Sequence, residues 1–189
     1  MRPIHNRTNA GAEARNMRLF FVLLAGALGG IAEIIWVCLF SIRSPASSTE
    51  VARGVTAAVW PALAATSAAP VIGILIHMVL SLAIAFIFAA TVWRPALRLA
   101  GRGGLVIASL LSLGLIWVFN FFLLLPIIAP AFVHLLPLPF TLFSKLLFGL
   151  AMGVVLADPL ATRGIGFHDV AATGTISLDG VSTRGRVAR

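Results

Sequence analysis

Residues 120–145 read N-F-F-L-L-L-P-I-I-A-P-A-F-V-H-L-L-P-L-P-F-T-L-F-S-K. No lysine, arginine, aspartate or glutamate occurs in this stretch until Lys145, and none follows from Leu146 to Ala157. Pro126, Pro130, Pro137 and Pro139 interrupt the run, so it cannot be one continuous helix. It reads as the end of one membrane span, an apolar connection and the start of another span. The connection is too apolar for an exposed loop. It is expected to dip into the interface or pack on the bundle, where protein must satisfy its backbone groups. Lys145 then stands inside a span, and the rest of the chain is read around it.

The chain has 189 residues, of which 60% are hydrophobic and 11% charged. A soluble domain carries about 25% charged residues, so the deficit places this chain among membrane proteins. A span needs about 20 apolar residues. Four fit, at about 18–42, 70–93, 105–125 and 140–157, and predict an all-α membrane protein with four transmembrane helices. Residues 1–17 read as a polar tail, 18–157 as the transmembrane domain and 158–189 as a flexible tail rich in Gly, Thr and Arg. The apolar run after Arg15 and Arg18 continues past Ala25-Gly26-Ala27 to Phe40. That is too long for a signal peptide and predicts an uncleaved first helix. Ser47-Ser48-Thr49-Glu50 fits a capping box opening a short helix at about 48–60, which Pro61 interrupts. With Trp60 and many alanines it reads as interfacial, or else as a solvated loop helix.

Four spans put both tails on one side. That side holds Arg2, Arg7, Arg15, Arg18, Arg94, Arg98, Arg102, Arg163, Arg184, Arg186 and Arg189, against Arg43 and Arg53 on the other. The positive-inside rule predicts a bacterial inner-membrane protein with cytoplasmic N- and C-termini. It also accounts for the net charge of +8 without nucleic acid. The single cysteine, Cys38, rules out an intramolecular disulfide, and no zinc-type cluster occurs, so no metal or cofactor is expected. His77–Ala85 (HMVLSLAIA) aligns weakly with Lys145–Gly153 (KLLFGLAMG), which suggests two duplicated helical hairpins.

Each span holds one strongly polar residue: Glu33, His77, Asn120 and Lys145. At about 1.5 Å rise per residue, all four fall roughly 10 Å below the outer face. Their helical faces also carry small residues. Gly26, Gly29 and Gly30 share a face with Glu33, and Gly149 and Gly153 share one with Lys145. Gly26/Gly30 and Gly149/Gly153 are GxxxG patterns suited to close helix packing. An unpaired charge near mid-membrane costs about 2.5–3.5 kcal/mol. Glu33 and Lys145 are therefore expected to pair, with His77 and Asn120 completing the layer. Arg53 is a secondary candidate, reaching down towards Glu33 or facing water. His134, near the outer interface, is another. Trp36, Trp60 and Trp93 fit interface belts, and Trp117 fits packing.

Intramembrane ionisable groups mark function by default, and helix register otherwise. Two classes follow. One is a small transporter or proton- or ion-handling module with Glu33 and His77 titrating. The other is an accessory or scaffold subunit whose glycine faces bind a larger membrane-protein partner or a second copy. A haem protein using His77 and His134 has little support, because the two are not matched in depth. No nucleophile elbow, phosphate loop or metalloprotease motif occurs, so a classical enzyme is not indicated.

Several runs carry a resemblance: residues 29–36 (GGIAEIIW), 52–59 (ARGVTAAV), 73–78 (GILIHM), 120–122 (NFF), 130–137 (PAFVHLLP) and 142–149 (LFSKLLFG). Over about 18–157, both tails excluded, the chain resembles a family of small proteobacterial four-helix inner-membrane proteins. Some members bear a sodium:proline symporter label. Symporters of that kind resemble a ten-helix architecture with interrupted helices at the site, which four spans do not match. The resemblance implies the fold and the membrane, not an activity.

Overall fold

The computed structural model describes residues 5–43 and 46–162, which are helical throughout apart from turns and contain no strand. Helix α1 spans His5–Ser41. It begins upstream of the expected start at residue 18, inside the stretch read as a polar tail. Ala10, Ala12, Glu13, Ala14 and Arg15 are good helix formers, and the backbone continues through them. Residues 163–189, the bulk of the expected C-terminal tail, lie outside the described residues. The tail's first residues form a short helix, α8, introduced below.

Helix α2 spans Ser48–Val59 and opens on the expected capping box. The Glu50 N–H donates to Ser47 Oγ at 3.2 Å, and the Ser47 N–H donates to Glu50 Oε2 at 2.8 Å. These bonds hold the exposed Glu50 carboxyl below the ordinary glutamate range, the backbone bond contributing most. A depressed folded pKa means the box is fully formed above the usual glutamate pKa and weakens as pH falls through the folded one. Ser47→Ala is expected to cost about 1 kcal/mol of local helix stability. Hydrogen exchange should then show the first α2 amides opening several-fold faster, with wild type approaching the variant only in acid.

After a 3₁₀ turn at Pro61–Leu63 come α3 (Ala69–Phe88), a wide π turn (Ala89–Trp93) and α4 (Arg94–Phe119). A second π turn (Asn120–Leu124) leads into α5 (Leu125–Ile128). Each π turn is followed, after one intervening residue, by a proline: Pro95 and Pro126. Proline lacks an N–H, and its ring would strike the carbonyl four residues back. Widening the preceding turn avoids this, with the Leu125 N–H donating to the Asn120 carbonyl. The helix therefore runs past Pro126 to Ile128 instead of closing there. Helix α6 (Pro130–Val133), α7 (Leu138–Leu156) and α8 (Pro159–Thr162) complete the described chain.

Three helical stretches are long and apolar enough to cross a membrane: Arg15–Ser41, Ala69–Ile128 and Leu138–Leu156. The second is 60 residues long. It is broken at Gly101, where φ is 64° and ψ −159°, a backbone closed to residues with a side chain. Beyond that break the chain doubles back, because His77 before it and Asn120 after it line one cavity.

The neighbours of each glycine give the packing directions. On α1, Gly26 meets Leu82 and Ala85, and Gly30 meets Met78 and Ser81, so α1 and α3 run antiparallel. Gly29 meets Phe148 while Trp36 stacks on Phe140, so α1 and α7 also run antiparallel. Gly149 meets Leu110 and Gly153 meets Val106, which makes α7 and α4 antiparallel too. The legs stand in the order α3, α1, α7, α4, with α2 docked on α3. Both GxxxG patterns are thus used inside the chain.

The main core lies towards the Gly101 end, with Phe21, Phe88, Trp93, Leu105, Phe148 and Leu156. Trp93, expected in an interface belt, is only 4% exposed and belongs to this core. Its Nε1 is buried without a partner. Ala161 of α8 is buried in the same cluster, so the described start of the expected tail is docked. At the other end, Val51, Leu136 and Phe140 form a second cluster with Trp36 and Phe132 beside it. The proline-rich connection packs on α2 and α1 there, as a loop that apolar must.

Candidate polar site in the cavity wall

Glu33 projects from the face of α1 that holds Gly26 and Gly30, and it is 3% exposed. Lys145 Nζ lies 2.8 Å from each of its carboxylate oxygens. Ser144 Oγ–H also donates to Glu33 Oε1 at 2.8 Å. From the opposite helix, His77 Nε2 approaches Glu33 Oε2 to 3.7 Å. The same nitrogen lies 3.2 Å from the Gly30 carbonyl oxygen. A carbonyl can only accept, so Nε2 carries a proton and donates to Gly30, leaving Nδ1 as the ring's second position. Three helices thus converge on one carboxylate. Lys145 makes the charge tolerable, and Ser144 adds a charge-assisted bond, the stronger class of hydrogen bond.

Asn120 lines the same cavity from the start of the second π turn. Among the described residues its side chain makes no hydrogen bond, and it does not join the Glu33 cluster. Its amide faces the cavity with both donors and its acceptor unspent. The cavity itself measures about 470 Å³. Glu33, His77, Ser144 and Lys145 lie at one end, and its walls are otherwise mainly apolar, with α2 across it. The side chains of His77 and Lys145 keep 22% and 17% of their surface exposed. The ion pair therefore sits in a cavity wall and is not sealed between helices.

The secondary candidates go elsewhere. Arg53 does not reach Glu33. Its Nη1 donates to the carbonyls of Ala64 at 2.8 Å and Thr66 at 3.2 Å, tying α2 to the 3₁₀ turn. A guanidinium near the ends of short helical turns satisfies the carbonyls those turns leave open. His134 is exposed and lines a separate depression with Arg43, so it does not meet His77. No set of three or more His, Cys, Asp or Glu able to hold a metal occurs among the described residues.

Ser144 was not singled out from the sequence, though it precedes Lys145 on the stripe that also holds Thr141 and Phe148. Thr141 is a second addition. It accepts from Trp117 Nε1 at 2.9 Å and itself donates to the Leu138 carbonyl at 2.9 Å. Thr56 is a third. Fully buried, it donates to the Ala69 carbonyl at 2.5 Å and pins α2 to the start of α3. Comparison of the chain with family models, with curated proteins and with solved structures returns no match.

Proposed function

We propose that this chain is a four-span inner-membrane protein that handles protons or a small solute at the Glu33–His77–Lys145 cluster. The observation that carries the reading is the placement of the ion pair in the wall of an open cavity, where a purely structural pair would be sealed. The four-span count is supported by length. A straight helix of 60 residues would be about 90 Å long, roughly three times the hydrocarbon core. The break at Gly101 and the antiparallel legs support reading it as two spans. Duplication of a hairpin is supported by small-residue contacts at aligned positions. Ser81 meets Gly30 in one hairpin, and Gly149 meets Ser109 in the other.

In this reading His77 and Lys145 meet an entering proton or solute first, with Glu33 behind them. His77 Nε2–H lies 3.7 Å from the Glu33 carboxylate, so a ring that takes up a proton at Nδ1 can pass its Nε2 proton to Glu33 after a small shift. Purified protein in liposomes loaded with a pH-sensitive dye should show flux driven by a pH step. Glu33→Gln should lower it at least tenfold, while His134→Ala, in its separate depression, should leave it unchanged. Equal flux in wild type and Glu33→Gln sinks the proposal. An absence of flux together with a stoichiometric membrane partner in mild detergent favours the accessory-subunit reading. Alkaline phosphatase fused after residue 157 should be inactive if the tails are cytoplasmic.

A further inference from the structure

The legs α3 and α4 share no packed interface along their length, although they are joined through the turn region at Gly101. Each packs instead on the α1–α7 pair behind. The cavity lies at the end of the resulting gap, beyond α4 itself. Its α3 wall presents Ile74, His77 and Leu80, and the facing wall is the second π turn, which continues α4 and presents Asn120 and Leu124. Leu80 and Leu124 are exposed on the two rims. In a bilayer these rims face lipid, so the gap is a side entrance from the membrane.

The chemistry inside is graded. Glu33 and Lys145 cancel in charge, and among the described residues no other lysine, arginine, aspartate or glutamate lines the cavity. A charged head group would lose its hydration without gaining a counter-ion, which is unfavourable at membrane depth. Unspent hydrogen-bonding capacity is present, however. Asn120 keeps its whole amide, and two of the three Lys145 N–H groups are engaged by Glu33, leaving one. The volume of about 470 Å³ lies within the usual range for small-molecule sites. We infer that the cavity takes a single-tailed bilayer amphiphile with a small uncharged head group, entering between α3 and the second π turn, with its head on Asn120 and Lys145. This rests on reading the cavity as a binding site but does not require proton flux.

Two of the four tryptophans flank the site. Trp117 is bonded to Thr141 and Trp36 stacks on Phe140, and both partners line the cavity. Three probes brominated on the alkyl chain would be titrated into protein in phospholipid nanodiscs: a long-chain primary alcohol, the matching carboxylate and a two-tailed phosphatidylcholine. The alcohol is expected to quench tryptophan fluorescence saturably, at severalfold lower concentration than the carboxylate. The phosphatidylcholine should quench without saturating. Asn120→Leu should weaken alcohol binding about tenfold, as expected for lost buried hydrogen bonds. Leu80→Phe with Leu124→Phe, both on exposed rims, should slow its onset severalfold.

Linear quenching by all three probes means simple partitioning and overturns the inference, as does preference for the carboxylate. Should Asn120→Leu fail to fold, the rim variants decide, and an unchanged onset rate overturns the side entrance. Saturable quenching without proton flux would leave the amphiphile site standing and remove the proton-handling proposal. Flux without saturable quenching would do the reverse.

Discussion

Lys145→Met is expected to destabilise the protein by about 3–5 kcal/mol, the cost of leaving a buried charge without its partner. Glu33 is 3% exposed, and Lys145 touches both of its oxygens at 2.8 Å. Removing the ammonium leaves the carboxylate with the Ser144 hydroxyl and, at 3.7 Å, a His77 ring already bonded to the Gly30 carbonyl, neither of which replaces the lost full charge. The reverse change is expected to cost less. In Glu33→Gln the lysine loses its counter-charge, but its flexible stem borders the cavity and can carry the head group towards it. The double variant Glu33→Gln/Lys145→Met should recover most of the loss, because a neutral amide beside an apolar chain leaves no unpaired charge. Unfolding in mild detergent, followed by tryptophan fluorescence or heat, measures all four proteins. If the double variant is no more stable than Lys145→Met, the ion pair is not what the site depends on.

How much of this was readable in advance differs residue by residue. A lysine in an apolar run needs a partner, and only one other span offers a carboxylate. That scarcity is why Glu33 and Lys145 can be matched from the sequence alone. Ser47 and Glu50 are equally local, since the capping box is set by a three-residue spacing. The π turns are less legible. Pro95 and Pro126 announce a disturbed helix, but whether the chain stops, kinks or widens depends on what packs around it. At Pro126 it widens and continues, which carries Asn120 round into the cavity wall.

The destinations of long side chains were the least legible. Arg53 could reach several oxygens from an amphipathic helix. The turn beneath it, built by Pro61, offers the carbonyls of Ala64 and Thr66 at short range. Trp93 had the composition of a belt residue, yet its place in the π turn puts it in the core. The cavity was invisible for a related reason. It exists because α3 and α4 each prefer α1 or α7 to one another, and that choice is a property of four faces at once. Glycine position hints at it only afterwards: Gly26 and Gly30 commit α1 to α3, and Gly149 and Gly153 commit α7 to α4.

Gly73→Ala is expected to release α2 from the bundle. A β-carbon on Gly73 would collide with the carbonyl oxygen of Ala52 and would stand 2.8 Å from its carbonyl carbon and 3.0 Å from Thr56 Oγ1. The first two are backbone atoms and cannot rotate away, so the helix itself has to shift. Overpacking of this kind costs about 1–3 kcal/mol where neighbours can adjust, and here the adjustment is loss of the α2–α3 contact. Thr56, whose hydroxyl bonds the Ala69 carbonyl, would be pulled off with it. The legs meet one another through other faces, so they should remain assembled while the cavity loses α2 from its wall. Amide hydrogen exchange along α2 reports the change directly. It should quicken severalfold in Gly73→Ala, and saturable alcohol quenching should disappear. Gly114→Ala is the matched control. Among the described residues nothing lies within 4 Å of a β-carbon there, and alanine is the better helix former by about 1 kcal/mol. That variant should be as stable as wild type or slightly more so, with α2 exchange unchanged. Equal α2 exchange in both variants would mean that α2 is not held by the close approach at Gly73.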